Sequence, residues 1–147
     1  MNVNQKGAVG LIEVIRDLTK KGFECFTPIH DYSSVDLIAL TDEKEPIRLQ
    51  VKYRTTYRNT IGIGFNSVVN GKKVPIDLSY IDGWAIYCPE IEQVVYVNKK
   101  DINLSLGGFS FRLTEGKNTV SNGVKLPLYT EFKSLESWVS WLKPPSC

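Results

Sequence analysis

The sequence predicts one α/β domain over residues 1–147, on three observations. A helical period opens the chain and another closes it, while short apolar runs of strand period lie between them. Turn residues separate those runs, with Asn70-Gly71 giving the strongest short hairpin signal. No internal repeat, linker or low-complexity segment divides the 147 residues, a length that suits one domain with a real core.

Residues 7–21 carry the first helix. Ala8, Leu11, Ile12, Ile15 and Leu18 make its apolar stripe, and Glu13, Arg16, Asp17 and Lys20 lie away from it. Asn4 is the expected N-cap and Gly22 the expected glycine just past the end. A strand over residues 23–28 follows, then a polar loop from His30 to Ser34, where His30 suits a surface or phosphate-contacting role. Residues 35–40 and 47–55 read as two strands joined by the polar, proline-containing turn 41–46. In the second strand Leu49, Val51 and Tyr53 face one way and Arg48, Gln50, Lys52 and Arg54 the other. Sequential strands usually pair, so this hairpin should bring Asp36 close to Gln50 and Lys52.

Beyond it, Tyr53, Arg54, Tyr57 and Arg58 interleave aromatic and basic residues with hydroxyls, the mixture a phosphate-contacting surface needs. Strands over 61–69 and 73–78 flank Asn70-Gly71, with Lys72 and Lys73 beside the turn. Such a basic-tipped ribbon fits the major groove of DNA, and equally fits a surface hairpin kept soluble by lysine. Residues 83–88 and 93–98 are two further strands, expected to be sheet partners. Residues 99–104 are short and compatible with a helical turn. Residues 109–113 form a strand carrying Arg112, and 114–126 a polar loop offering Lys117 and Lys125 to phosphates. The closing helix spans 134–143, with Leu135, Trp138, Val139 and Leu142 on its apolar face and Trp141 on its flank. Ser134, Glu136 and Ser137 supply its cap, and Pro144-Pro145 its stop.

Composition narrows the function classes. The apolar share is 42% and the charged share 23%, ordinary for a globular protein. No apolar run approaches a membrane span and the first ten residues lack a signal-peptide core, so an intracellular, cytoplasmic protein is expected. Three widely spaced cysteines (Cys25, Cys88, Cys147) and a single histidine argue against a disulfide framework, a zinc site and Ser/His or Cys/His catalysis. A net charge of +2 does not itself require a nucleic-acid partner. Asp36 is the energetic oddity. Burying its carboxylate among Val, Leu, Ile and Ala without a partner costs several kcal/mol. A metal ion or Lys52 answers that, as does a wet position at the strand rim.

A helix, then a strand hairpin with Asp36, thirteen intervening residues and Gln50-Val51-Lys52, resembles the core of the PD-(D/E)XK nucleases. The segments NQKGAVG, DLTKKGF, FTPIHDYSSVDLIAL and RLQVKYR, with IDGWAIYCPE, VVYVNKKDI and SFRLTEGKN later, are similar to the branch of group I intron-encoded homing endonucleases of cyanobacteria. The resemblance covers most of the chain. It implies a restriction-endonuclease-like core, a mixed central sheet flanked by helices, with an added DNA-binding β-hairpin. It also implies Mg²⁺-dependent double-strand cleavage of a long DNA site by a homodimer or homotetramer. Asp36, Gln50 and the Val51 carbonyl would hold the metal, and Lys52 would serve the attacking water. Tyr53, Arg54, Tyr57, Arg58, Lys72, Lys73, Arg112 and Lys117 become the candidate DNA contacts.

One departure stands out. Relatives of this kind carry KGxxGE, whereas here Gly7 and Gly10 are kept and Leu11 stands at the glutamate position. Glu13 lies about 200° further around the helix and cannot substitute. Leu11 therefore reads as a substitution that disables cleavage, or as a natural leucine completing the apolar stripe. With Gln50 neutral, Asp36 would be the only carboxylate left for the cation. The alternatives are a DNA-binding module without catalysis, a Holliday-junction-type resolvase, and a protein-interaction domain in which Asp36 and Lys52 are only an ion pair.

Overall fold

Asn2 starts the first helix, α1 (Val3–Lys20). Its side chain accepts from the Gln5 N–H and the Gln5 side chain accepts from the Asn2 N–H, both at 2.9 Å, a reciprocal capping box. The helix thus begins four residues before the expected Gly7, and Asn2 replaces Asn4 as its cap. At the other end Gly22 adopts φ +88°, and the Phe23 N–H reaches back to the Leu18 carbonyl at 2.9 Å. The computed structural model describes residues 1–41, 45–115, 120–121, 124–132 and 134–139. Lys117, Trp141 and the turn residues Asp42 to Lys44 lie outside the described residues.

The strands in chain order are β1 (Glu24–Phe26), β2 (Leu37–Leu40), β3 (Ile47–Tyr53), β4 (Thr60–Gly64), β5 (Asn66–Val69), β6 (Lys72–Pro75), β7 (Gly83–Cys88), β8 (Gln93–Asn98), β9 (Gly108–Arg112), β10 (Val120–Ser121) and β11 (Val124–Lys125). The central sheet runs β1-β2-β3-β7-β8, with β3 and β7 parallel and every other pair antiparallel. The architecture is the mixed α/β sheet expected from the sequence. A parallel pair needs a long crossover. Here the strand β4, the β5–β6 ribbon and a 3-10 turn at Leu78–Tyr80 fill it, in place of the usual helix.

Both faces of the sheet are covered. On one, Leu37, Ala39, Ile47, Leu49 and Ala85 pack with Val14 and Leu18 of α1, with Leu135, and with Trp138 of the second helix, α2 (Glu136–Val139). On the other, Trp84, Ile86, Val95 and Val97 meet Ile61, Ile63 and Phe111 of the β4–β9 pair. This double burial explains why residues 83–88 read as a nearly continuous apolar run. Trp138 takes the core position that the helical period assigns it.

Three expectations change. Ile12 and Ala8, placed on the apolar stripe, are exposed, Ile12 to 62%, because the inward face of α1 centres on Gly10, Val14 and Leu18; of the expected stripe Leu18 is buried and Leu11 and Ile15 pack against the core. Gly10 lets the helix approach β3 closely: a methyl group there would sit 3.2 Å from the Tyr53 Cβ. The strand expected over 61–69 divides at Phe65, where pairing passes from β9 to β6 and the Phe65 ring stacks on Trp84 with ring centroids 5.6 Å apart. The third is local: Asp36 precedes β2 and is not inside it.

Candidate active site

Asp36 sits where the β2–β3 ladder ends. The ladder's last pair is Leu37 with Leu49, and the Asp36 N–H then bonds the Leu49 carbonyl at 2.9 Å. This places the carboxylate at the open edge of β3, where Oδ2 accepts from the Val51 N–H at 2.8 Å. A strand residue directs its N–H and C=O to the same side, so the Val51 carbonyl leaves toward Asp36 as well. Among the described residues the second Asp36 oxygen has no hydrogen-bond donor. The half-buried position answers the energetic question raised by the sequence: one oxygen is satisfied by backbone and the other faces a cleft.

That cleft is lined by Gly7 and Leu11 of α1, by the loop residues Thr27 to Asp31, and by Asp36 and Val51. Leu11 therefore does face the site, and it also packs against the α1 core layer. The leucine completes an apolar surface at the same position where the resemblance implies an acid.

Lys52, on the next residue of β3, is half-buried. Burial holds its ammonium below the usual lysine range, Arg54 adds to this, and Asp36 opposes it. Burial raises the Asp36 carboxyl, with the Val51 amide and Lys52 pulling it back and Asp31 pushing it further up. The two groups feel each other without touching: the ion pairs among the described residues are Arg16–Glu13, Lys21–Asp17 and Arg48–Asp82. An interaction domain that used Asp36 and Lys52 as a simple contact pair would show one here.

Gln50 is placed differently from the expectation. It is 7% exposed, and its Oε1 accepts from the Trp84 indole N–H at 3.1 Å across the parallel β3–β7 register. An indole N–H only donates, so the atom facing it must be the amide oxygen. Gln50 is thereby tied to the buried layer and does not line the cleft. Among the described residues no three His, Cys, Asp or Glu side chains cluster. A divalent cation nevertheless fits the donors present. The free Asp36 oxygen and the Val51 carbonyl are hard oxygen ligands, and Mg²⁺ is commonly held by one or two carboxylates plus water and phosphate oxygens.

The expected DNA contacts divide into three groups. Tyr57 is 73% exposed with the Arg58 guanidinium 5.2 Å from its ring centre, and Lys72 and Lys73 are exposed on the β5–β6 ribbon. The ribbon turn has Asn70 at φ 50° and Gly71 at φ 76°, the left-handed pair an Asn-Gly hairpin requires. Tyr53 and Arg54 are half-buried. Tyr53 meets Tyr87 at 5.8 Å, and Arg54 Nη1 donates to the Tyr53 carbonyl at 3.0 Å. Arg112 is a correction. It is 4% exposed, and its Nε donates to the Leu126 carbonyl at 3.0 Å, with Nη1 reaching the Thr114 carbonyl at 3.5 Å. Its guanidinium holds a loop to β9 and is withdrawn from any surface.

Two residues around the candidate site escaped sequence reasoning. Trp84 fixes Gln50, and nothing in its own strand pattern marks it. Asp31 lines the cleft from the loop; its signal was a second carboxylate five positions before Asp36 in HDYSSVD.

The sequence profile of the PD-(D/E)XK endonucleases matches residues 1–126. Among solved structures, a bacterial homing endonuclease is similar in fold, with a TM-score of 0.67 at 17% identity over 97% of this chain and 94% of that one. No curated protein matches the chain significantly.

Proposed function

The chain belongs to the PD-(D/E)XK endonuclease family, and from that premise we propose that it cuts double-stranded DNA at the Asp36 edge of β3 with Mg²⁺ or another divalent cation. The observation that carries this reading is the Asp36 carboxylate fixed by the Val51 N–H at 2.8 Å, with half-buried Lys52 beside it and no contact ion pair between them. Asp36 and the Val51 carbonyl would hold the cation. When bound, a cation there supplies charge to the phosphoryl oxygen and acidifies a coordinated water.

The chain's own groups do the rest. Lys52, its ammonium destabilised by burial, orients the attacking water or takes its proton, and places positive charge where charge develops on the phosphate. The exposed Arg58, Lys72 and Lys73 hold the DNA backbone, and the β5–β6 ribbon enters a groove. Intron homing is the biological role we propose, with a long target and two copies cutting opposite strands about a two-fold axis, as a homodimer or homotetramer. A specific observation also favours a binder that does not cut: Leu11 is apolar and the Gln50 oxygen faces an indole, so both expected supporting ligands are missing.

The test is cleavage of linear duplex carrying an uninterrupted insertion site, in Mg²⁺ and Mn²⁺, with Asp36→Asn and Lys52→Met beside the natural chain. Cutting that both variants lose while keeping DNA binding in Ca²⁺ supports the nuclease. Cutting that survives Asp36→Asn refutes the assigned site. Binding with no cutting in either metal selects the non-catalytic reading, and a preference for four-way junctions over linear duplex selects a resolvase.

A further inference from the structure

A dication in this cleft faces a shortage of negative charge. Leu11 is apolar, Gln50 is neutral and faces Trp84, and one oxygen of Asp36 already accepts from Val51. Asp31 alters that balance. Its loop brings it into the same cleft as Asp36 and Leu11. Its carboxylate has no hydrogen bond or ion pair among the described residues, and its charge acts on Asp36 across the cleft. Asp31 is exposed and Asp36 half-buried; two carboxylates on one cleft repel each other, and a bound cation converts that repulsion into attraction.

Resting on the nuclease reading above, we infer that Asp31 supplies the second carboxylate for the divalent cation at Asp36, in the role that relatives give to an acid on the first helix or at the Gln50 position. The loop is suited to this. His30 stacks on Tyr32 with ring centroids 5.0 Å apart, so the residues on either side of Asp31 in the chain hold each other. Ser33 Oγ accepts from the Val35 N–H at 3.3 Å and Ser34 Oγ donates to the Asp77 carbonyl at 3.1 Å, so the segment leading into Asp36 is tied down. Mg²⁺ sites with one or two carboxylates use the remaining positions for water and phosphate, which this open cleft leaves room for.

The experiment is Mn²⁺ and Ca²⁺ binding to the full chain without DNA, by titration calorimetry and Mn²⁺ electron paramagnetic resonance. Asp31→Asn should weaken binding about tenfold or more, and Asp31→Glu should recover most of it. Asp36→Asn should weaken binding at least as much, and the double variant should lose little beyond that, since both oxygens serve one ion. Melting of the metal-free chain checks that Asp31→Asn folds. Natural affinity in Asp31→Asn alongside loss in Asp36→Asn overturns the role of Asp31 and leaves the nuclease site standing. Absence of binding in the natural chain overturns both.

Discussion

Arg58 sits in a backbone conformation that its side chain disfavours, and this gives a test with two independent readings. Tyr57 and Thr60 exchange hydrogen bonds at 2.9 and 3.0 Å around a two-residue turn, with Arg58 at φ 52° and Asn59 at φ 64°. Such a turn needs left-handed residues at both central positions. Asn tolerates this, and the Asn59 side chain is further held by Thr114 at 3.0 and 2.8 Å. Arg58 has no such excuse. Left-handed backbone costs a residue with a Cβ about 1–2 kcal/mol, while glycine loses about 0.5–1 kcal/mol through its freer unfolded chain.

Arg58→Gly should therefore be more stable than Arg58→Ala by about 0.5–1 kcal/mol, or about 1–4 °C in Tm for a chain of this size. Both variants lack the guanidinium, so the loss of its contact with the Tyr57 ring cancels from that comparison. Both should also bind duplex DNA more weakly, with the slope of log affinity against log salt falling by about 0.9 for one lost phosphate contact. Thermal melts and fluorescence anisotropy across a salt series measure the two effects. Equal stability of the glycine and alanine variants would refute the strain argument. Natural affinity and salt slope in both would remove Arg58 from the DNA surface.

Three further outcomes follow from the geometry. Leu11→Glu should cost the metal-free chain about 1–2 kcal/mol by uncovering apolar surface, yet strengthen Mn²⁺ binding and raise the cleavage rate; a variant that cuts no faster would show that position 11 does not serve the site. Arg112→Ala should lose about 2–3 kcal/mol by leaving backbone carbonyls without their charged donor, seen in urea melts, while the folded fraction binds DNA with natural affinity. The Cys88 thiol, pushed up to about 12 chiefly by burial, should resist Ellman's reagent at pH 8 in the native state and react once the chain is unfolded; rapid native labelling of Cys88 would contradict its burial.

How much was legible varies by element. The β3 alternation, the Asn-Gly ribbon and the Gly22 stop were readable because each is set by residues within a few positions. Ile12 misled because three-residue shifts in a helical stripe leave similar sums of apolar residues, and the close approach at Gly10 decides which face turns in. Arg112 misled because charge on a strand looks the same whether its partners are phosphates or carbonyls fourteen residues away.

The sequence by itself determined the hairpin that brings Asp36 and Lys52 to the edge of β3. Only the tertiary structure decided the company those residues keep. Gln50 meets Trp84, thirty-four residues later, through the parallel β3–β7 register. Leu11 and Asp31 reach the Asp36 cleft from a helix and a loop on separate elements. Periodicity records which way a side chain points along its own strand or helix. It holds no information about what the crossover brings opposite, and that pairing sets which oxygens remain free for a cation.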